Sequence, residues 1–320
     1  MKVDTVICGS VFDVLPTIPD GSVNCCVTSP PYWGLRDYGV DGQLGLEKTP
    51  EEYVAKMVAV FAEVKRVLRD DGTLWLNLGD SYAQTATMRN RNGVSDEFAR
   101  PCRDPVADEG RKLNHGLKTK DLCGIPWRVA FALQADGWYL RQDIIWHKPN
   151  PMPESVRDRC TKAHEYIFLM SKKPRYYYDA EAIKEESHTP PHAPGCKPRP
   201  ITGPTVRQKA DGTSASQWAE DSQSRIWGSG SRNKRSVWTV TTKPYSEAHF
   251  ATFPPDLIKP CILAGCPVDG VVLDPFMGSG TVGVVAYQNN RHYLGIELNP
   301  EYCKLGRIQE ERDKYALFGE

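Results

Sequence analysis

The sequence of 320 residues predicts an α/β fold built on a mostly parallel β-sheet. Short apolar runs of strand length alternate along the chain with longer segments of helical periodicity. Near the C-terminal end, the stretch VVLDPFMGSGTVGVVA (271–286) has the pattern of a strand, a glycine turn and a helix. Strands that alternate with helices are typical of parallel sheets whose faces are covered by helices.

The first half of the chain is expected to place a long helix between short strands. Thr49 has the side chain of a helix cap, and Pro50 suits the first helical position. Apolar residues then keep helical spacing until Asp70-Asp71-Gly72, which predicts a turn. The expected strands are 3–8, 23–28 and 73–78.

The second half combines regular elements with two polar stretches. The predicted helices are 126–135, 255–264, one that ends near 289 and one that begins at Pro300; the predicted strands are 139–146, 165–170, a short one at 176–178, 271–273 and 292–297. Residues 83–120 are polar and weakly periodic, which predicts a long loop. Residues 187–235 are rich in Pro, Gly, Ser and basic residues and poor in aliphatic ones, which indicates an insertion outside the core.

Composition limits the class of protein. The chain is 40% hydrophobic and 25% charged, as globular proteins are. No apolar run approaches the roughly 18 residues of a membrane span, and the first residues lack an apolar signal core. Ten cysteines are scattered without a framework, which favours free thiols in a reducing cytoplasm.

A metal site is not expected. His188, His192 and Cys196 recur at intervals of four, but prolines interrupt the segment and no fourth ligand is evident. We interpret this stretch as a polar loop.

The net charge is zero but unevenly distributed. Residues 197–243 carry nine Lys/Arg and three Asp/Glu, and residues 157–175 carry six and two. Such basic stretches favour a polyanionic partner, although a solvated surface explains the charge alone equally well.

The glycine turn predicts a nucleoside cofactor. Gly278, Gly280 and Gly283 satisfy the pattern G-x-G-x-x-G, and Glu297 ends the following strand 19 residues after Gly278. An acid at that place suits ribose hydroxyls. A phosphate-cradling P-loop is disfavoured because no Lys follows the glycines. A nicotinamide enzyme remains the natural rival on this motif alone.

The position of the turn indicates a rotated strand order. Only 23 residues follow Glu297, so the remaining strands of the sheet must come from the N-terminal part. That order would bring the ends of two strands, at Asp274 and Ser29, to the same carboxyl edge, where ligands bind in such sheets.

At Ser29 the chain reads NCCVTSPPYWG (24–34), in which a buried strand ends in Ser-Pro-Pro-Tyr. Together with DPFMGSGT (274–281), this stretch resembles the DNA amino-methyltransferases in their permuted (beta) order. The blocks CGSVFDVLPTIPDGSVNCCVTSPPY, IIWHKPNPMPESVRDRCTKAHEYIFLMSKKPRYYYD and HFATFPPDLIKPCI resemble further segments of that family. One residue departs from it: the family usually carries Asp where this chain has Ser10.

The resemblance implies a Rossmann-like methyltransferase that transfers a methyl group from S-adenosylmethionine to double-stranded DNA. Ser in the first motif position usually accompanies the N4 amine of a flipped-out cytosine, with the N6 amine of adenine as the alternative. A methyltransferase of protein amides or RNA and a non-catalytic DNA-binding module are further rivals. Expected partners are duplex DNA and a cognate restriction endonuclease, with no membrane, for a monomer or homodimer in the cytoplasm.

The resemblance also assigns the candidate site residues. The catalytic set is Ser29, Pro30, Pro31 and Tyr32: Ser29 Oγ and the Pro30 carbonyl accept the amine hydrogens, and Tyr32 stacks on the base. The expected cofactor-binding residues are Ser10, Phe250, Phe253, Pro254, Asp274, Phe276, Gly278, Gly280, Thr281, Glu297 and Asn299. The expected DNA-binding residues are Arg36, Lys148, Arg157, Arg159, Lys162, His164, Arg232, Lys234 and Arg235.

The shift in composition and the resemblance together divide the chain into domains. Residues 1–182 and 244–320 are expected to form the catalytic and cofactor-binding domain. Residues 183–243 are expected to form an inserted basic target-recognition region.

Overall fold

The computed structural model describes residues 1–35, 37, 39–83, 117–186, 231–242, 253–303 and 308. The chain divides into two compact units, of which the first comprises Met1–Asp179 and Arg235–Glu320 and the second Ala180–Lys234. Most of the polar loop predicted at 83–120 and of the inserted region predicted at 183–243 lies outside the described residues. Those two expectations remain predictions.

The first unit is built on a single eight-stranded sheet. Its strands are β1 (Thr5–Cys8), β2 (Val23–Thr28), β3 (Leu68–Leu78), β4 (Tyr139–His147), β5 (His164–Ser171), β8 (Val237–Thr239), β9 (Val271–Asp274) and β10 (His292–Glu297). The helices described in this unit are α1 (Val11–Val14), α2 (Pro50–Val67), α3 (Ile125–Ala135), α4 (Pro255–Gly265), α5 (Thr281–Gln288) and α6 (Pro300–Cys303).

The spatial order of the strands is β1-β10-β9-β2-β3-β5-β4-β8. The first five are parallel to one another, β5 is antiparallel to both of its neighbours, and β8 runs parallel to β4. Two strands from the C-terminal part, β9 and β10, therefore lie between β1 and β2, as the rotated order predicts. The α/β class and the mostly parallel sheet are confirmed.

Helix α2 shows how the local sequence produces an element. Thr49 Oγ1 accepts a 3.1 Å hydrogen bond from the backbone N–H of Glu52, which caps the helix, and Pro50 is its first residue. One face carries Tyr53, Met57, Val60, Phe61, Val64 and Val67, all buried in the core. The spacing of this apolar face explains why the helix was predictable.

Two expectations about β3 are wrong: where it begins, and the turn expected before it. Strand β3 begins at Leu68 rather than residue 73, so Asp70-Asp71-Gly72 lies inside a strand instead of a turn. The pairing of β2 with β3 shifts between Val23 and Cys25, and this irregularity accommodates the additional residues.

The predicted short strand at 176–178 is also absent. The backbone N–H of Tyr177 donates to the Asp71 carbonyl at 2.9 Å, and the Tyr178 ring stacks on Trp75 at 6.4 Å. The aromatic residues that suggested a strand there instead cover the sheet.

The described part of the second unit contains a short 3-10 helix, Glu181–Ile183, and a two-stranded pair, β6 (Glu185–Glu186) and β7 (Ser231–Arg232). The Arg232 guanidinium donates from Nε to Glu185 Oε1 at 2.9 Å within this pair.

Of the helices that the structure describes, none has the length and apolar character that crossing a bilayer requires.

Candidate active site at the carboxyl edge of the sheet

Two turns follow neighbouring strands at one edge of the sheet. Strand β2 leads into Ser29, and β9 ends at Asp274; Cys26 of β2 pairs with Leu273 of β9. The Thr28 hydroxyl donates a 2.6 Å hydrogen bond to Asp274 Oδ1, and both side chains are buried. The two sequence motifs therefore meet, as their predicted positions at the same carboxyl edge required.

Hydrogen bonds to backbone N–H groups and two glycines determine the conformation of the turn after β9. Asp274 Oδ1 also accepts from the Phe276 N–H at 3.0 Å. Gly278 and Gly280 have φ of +51° and +81°, which L-residues with side chains rarely adopt. A Cβ at Gly280 would lie 3.0 Å from Ile308, whereas a Cβ at Gly278 would meet only the Phe276 carbonyl oxygen, at an ordinary contact distance of 3.9 Å. Gly278 therefore leaves room for close approach of a ligand.

Glu297 stands opposite this turn at the end of β10. Its Oε2 accepts from the Gly278 N–H at 2.7 Å and its Oε1 from the Asn299 N–H at 2.8 Å. Each carboxylate oxygen retains a further lone pair, so the side chain can still accept hydrogen bonds from ribose hydroxyls. An acid at this place, a glycine turn and the N-terminus of α5 suit a nucleoside cofactor.

Burial raises the pKa of both acids. Desolvation raises the pKa of Asp274 to about 7, against the opposing effect of its hydrogen bonds from Thr28 and Phe276. Burial also raises the pKa of Glu297, while the N–H groups of Asn299 and Gly278 act to lower it. A buried acid with so raised a pKa makes this edge a candidate functional site.

The other expected cofactor residues lie on several elements where the structure describes them. Strand β1 ends beside Glu297, and the Gly9 N–H donates to the Glu297 carbonyl at 2.8 Å, which places Ser10 at the same edge. Ser10 Oγ accepts from the Phe12 N–H at 3.3 Å as the cap of α1. Thr281 begins α5 and is buried; Phe253 and Pro254 immediately precede α4; Phe250 lies outside the described residues.

The Ser-Pro-Pro-Tyr turn is held by the core beneath it. The Tyr53 hydroxyl on α2 donates to the Pro31 carbonyl at 2.9 Å. Pro30 is buried, and Ser29 is half-buried at the start of the turn. Trp33 is buried and donates from Nε1 to the Glu47 carbonyl at 2.9 Å, which anchors the end of the turn. Restricted prolines and these two hydrogen bonds give the turn a defined shape.

Tyr32 belongs to a polar cluster that joins three elements. Its hydroxyl lies 3.3 Å from Ser29 Oγ, 3.1 Å from Asn77 Oδ1 of β3 and 2.8 Å from Glu165 Oε2 of β5. A Cβ at Gly79 would approach the Tyr32 ring to 2.5 Å, so only glycine permits this placement. Burial, followed by the Glu165 charge, raises the pKa of Tyr32 well above its ordinary value, which keeps the phenol protonated.

Sequence reasoning missed Tyr53, Asn77, Gly79 and Glu165. None belongs to a recognised motif: Tyr53 fell within the predicted helix but was not singled out, and Glu165 was counted only as the start of a strand. The positions of Asn77 and Glu165 at the carboxyl edge follow from the register of β3 against β5, in which Leu78 pairs with Tyr166.

The basic residues expected to bind DNA include several on the hairpin between β4 and β5, which projects from the same edge. The Lys148 ammonium pairs with Glu165, and Lys162 Nζ donates to the Asp80 carbonyl at 2.7 Å. Arg159 forms a salt bridge with Glu154 at 2.7 Å and lies 4.0 Å above the Tyr82 ring. Arg157 is exposed. The hairpin therefore uses some of these cations in its own contacts, and their role toward DNA remains a prediction.

The remaining expected DNA contacts are more scattered. His164 is half-buried, and burial and Lys162 lower its pKa, which favours the neutral imidazole. Arg235 is exposed at the entry to β8, whereas Arg232 and Lys234 belong to the second unit. Arg36, like His188, His192 and Cys196, lies outside the described residues. Within the part of the chain that is described, no cluster of three or more His, Cys, Asp or Glu side chains could hold a metal.

Comparison with known proteins gives concordant results. A DNA methylase family model matches residues 23–308. The chain is 48% identical to the Type II methyltransferase M.Cfr9I of Citrobacter freundii, over 95% of this chain and 87% of the relative. It is 45% identical to M.SmaI of Serratia marcescens, over 94% of this chain and 89% of the relative.

Solved structures share the fold. The PvuII DNA methyltransferase (cytosine-N4-specific) matches with a TM-score of 0.61 and 18% identity, over 100% of this chain and 94% of that one. TTHA0409 of Thermus thermophilus, a putative DNA modification methylase complexed with S-adenosyl-L-methionine, matches with a TM-score of 0.57 and 22% identity, over 96% and 93% of the two chains.

Proposed function

The chain belongs to the DNA methylase family, and from that premise we propose that it methylates the N4 amine of a cytosine flipped out of duplex DNA. The protein is a DNA methyltransferase of the Type II class, and S-adenosylmethionine is its methyl donor. The glycine turn alone left open a nicotinamide oxidoreductase, and family membership removes that rival.

One observation supports the assignment of the site above all. The 2.6 Å hydrogen bond from Thr28 to Asp274 links the residue before Ser29 to the first residue of the glycine turn. The groups proposed to hold the acceptor amine are thereby fixed beside those proposed to hold the donor. Alignment of two reactants in this way supplies a large part of a rate enhancement.

The cofactor residues fit S-adenosylmethionine. Glu297 would accept hydrogen bonds from the ribose hydroxyls, and the open face of Gly278 would admit the ligand next to the backbone. Phe276, half-buried beside Asp274, would line the adenine side. When bound, the cofactor supplies an electrophilic methyl group, which the base nitrogen receives as the sulfonium becomes a thioether and the amine loses a proton.

The acceptor amine is a poor nucleophile because its lone pair is delocalised into the base ring. Ser29 Oγ and the Pro30 carbonyl would accept its two hydrogens, localising the lone pair and aiming it at the methyl group. Pro31 has no N–H, and its own carbonyl is held by Tyr53, so the turn cannot relax away from this arrangement.

An amine inside a duplex cannot reach this edge of the sheet. The base would have to leave the stack at a cost of a few kcal/mol, which stacking on Tyr32 partly offsets. Arg157 on the β4–β5 hairpin is exposed, so it can contact the DNA backbone.

Ser29 favours cytosine over adenine as the target. In the family that the chain resembles, Ser at this position usually accompanies the N4 amine of cytosine, whereas Asp or Asn usually accompanies the N6 amine of adenine. The N6 amine of adenine is the alternative within the same family.

The same assignment implies a biological setting. Relatives named Type II methyltransferases suggest a partner restriction endonuclease that cuts the same DNA sequence. The protein would act on DNA in the cytoplasm, as a monomer or homodimer.

The decisive experiment incubates purified protein and methyl-labelled S-adenosylmethionine with duplex DNA from a varied genome. The DNA is then digested to nucleosides and analysed by mass spectrometry. We expect label in N4-methylcytosine, and none with Ser29→Ala. Label in N6-methyladenine would replace the target base, and an unlabelled digest would reject the function.

A further inference from the structure

Two residues of the Ser-Pro-Pro-Tyr turn and one residue of β5 form a continuous line of hydrogen bonds. The Ser29 hydroxyl contacts the Tyr32 hydroxyl at 3.3 Å, which contacts Glu165 Oε2 at 2.8 Å. We call Ser29, Tyr32 and Glu165 the hydroxyl chain. Its outer end is Ser29, the group proposed to meet the base amine, and its inner end is a carboxylate.

The carboxylate determines the direction of these bonds. The Tyr32 hydroxyl has one hydrogen, and Glu165 is nearer than Asn77 and charged, so it takes the stronger bond. The Tyr32 oxygen is then left with lone pairs, and Ser29 donates its own hydrogen to it. Ser29 Oγ consequently offers only lone pairs to the outside.

An ion pair with Lys148 holds the Glu165 carboxylate in place. Its ammonium pairs with Glu165 Oε1, and the two side chains are only 19% and 15% exposed. The same ammonium lies 4.2 Å from the centre of the Trp146 ring, which fixes its position. A charged donor on Oε1 leaves Oε2 for Tyr32 and Asn77.

We propose that Glu165 is a positioning residue for methyl transfer, which acts through Tyr32 to make Ser29 an obligate acceptor for the base amine. This inference rests on the proposed function and deepens it. A serine hydroxyl in water donates and accepts without preference, and here the fold removes the donating option before the base arrives. Such preorganisation of dipoles lowers the reorganisation required during reaction.

Glu165→Gln is the sharpest variant. Lys148 would draw the amide oxygen, which leaves the amide N–H₂ pointing at the Tyr32 oxygen. The Tyr32 hydrogen would then turn toward Ser29 or Asn77, and the acceptor character of Ser29 would be lost. We expect the single-turnover methylation rate to fall about 10- to 100-fold, the range of one misdirected charge-assisted hydrogen bond. Affinities for DNA and S-adenosylmethionine should stay within about twofold.

A double-mutant cycle separates this role from a structural one. Tyr32→Phe keeps the stacking ring and removes the middle of the hydroxyl chain. After that change, Glu165→Gln should add little or no further loss of rate, because the residues act as one unit. Fully additive losses would overturn the proposal. Glu165→Asp restores a carboxylate and should recover part of the rate lost in Glu165→Gln.

Matched controls remove equivalent groups far from the site. Glu63→Gln takes a carboxylate from the half-buried pair with Arg66, and Tyr176→Phe removes a phenol that accepts from Arg141. Both should methylate at the wild-type rate. If Glu165→Gln fails to fold by circular dichroism, the cycle is run with Glu165→Asp, for which a partial loss that vanishes in Tyr32→Phe is expected and an undiminished loss contradicts the proposal.

The activity of the wild-type protein distinguishes a failure of the proposed function from a failure of the role proposed for Glu165. An inactive wild-type protein on every duplex would reject the proposed function itself. An active wild type with additive variants, or with Glu165→Gln at full rate, would reject only the role of the hydroxyl chain.

Discussion

The Thr28 hydroxyl donates a 2.6 Å hydrogen bond to Asp274 Oδ1, although 246 positions separate the two residues in the chain. Thr28 ends β2 and Asp274 ends β9, and the next residues of each strand enter the two turns of the candidate site. One buried contact therefore determines the spacing between the Ser-Pro-Pro-Tyr turn and the glycine turn.

Replacing Thr28 with Val should reveal the strength of this contact. The change keeps the shape of the side chain and removes the hydroxyl donor from a buried carboxyl that keeps only the Phe276 N–H, which should lower the free energy of unfolding by about 1–3 kcal/mol. The methylation rate should fall as well, since the two turns lose their common anchor. Urea unfolding and single-turnover assays measure both. Thr17→Val, which removes a half-buried bond to the Val14 carbonyl, is the control and should leave the methylation rate unchanged.

Asp274 should make the stability depend on pH. Burial raises its pKa to about 7, far above the unfolded value near 3.9, so between these values the native state holds a proton that the unfolded chain has released. Its contribution to stability is complete below about pH 4 and is lost as the pH rises to about 7. In Asp274→Asn, stability relative to wild type should rise by up to about 1.4 kcal/mol per pH unit across this window. A constant difference would contradict the shifted pKa.

Glu297→Gln should weaken cofactor binding. The amide retains one oxygen acceptor, so either the Gly278 N–H or a ribose hydroxyl loses a charged partner. Titration calorimetry with S-adenosylmethionine should show about a 10-fold loss of affinity. Glu301→Gln, an exposed acid on α6, should bind as the wild type does. Equal affinities for both variants would remove Glu297 from the cofactor site.

Gly79→Ala should impair catalysis with little effect on the cofactor. Its Cβ would lie 2.5 Å from the Tyr32 ring, which must move and take its hydroxyl away from Glu165. Because a displacement of about 1 Å can cost roughly 100-fold in rate, we expect a loss of that order. Affinity for S-adenosylmethionine should be unchanged, since Gly79 lies on the β3 side of the edge. Full activity would show that the Tyr32 ring can shift freely.

Two arginines on the β4–β5 hairpin should behave differently toward DNA. Arg157 is exposed, so Arg157→Ala should reduce the slope of log affinity against log salt by about 1 and leave the melting temperature unchanged. Arg159→Ala removes the pair with Glu154 and the contact with Tyr82, and should lower the melting temperature. Fluorescence anisotropy over a salt series, with thermal melts of both variants, tests this contrast. Identical behaviour of the two would contradict it.

Much of the fold could be predicted because its signals are local. Strand β2 has the bounds predicted from its apolar run, and the cap at Thr49 marks the start of α2. The glycine turn was recognisable because strand, turn and helix follow one another directly. The full length of β3 was not recognisable, because Asp70 and Asp71 have the residue types of a turn. Only the irregular pairing with β2 keeps them in a strand.

The candidate site likewise combines residues that local motifs predict with a contact that only the folded chain forms. The sequence by itself determined which residues form the two turns, since each turn is a contiguous motif whose residue types carry the chemistry. Only the tertiary structure decided that Glu165, 133 positions from Tyr32, receives its hydrogen bond. That contact depends on an antiparallel strand inserted beside β3 and on its register, and no local pattern encodes either. The direction of the hydroxyl chain, and with it the character of Ser29, is a property of the assembled sheet.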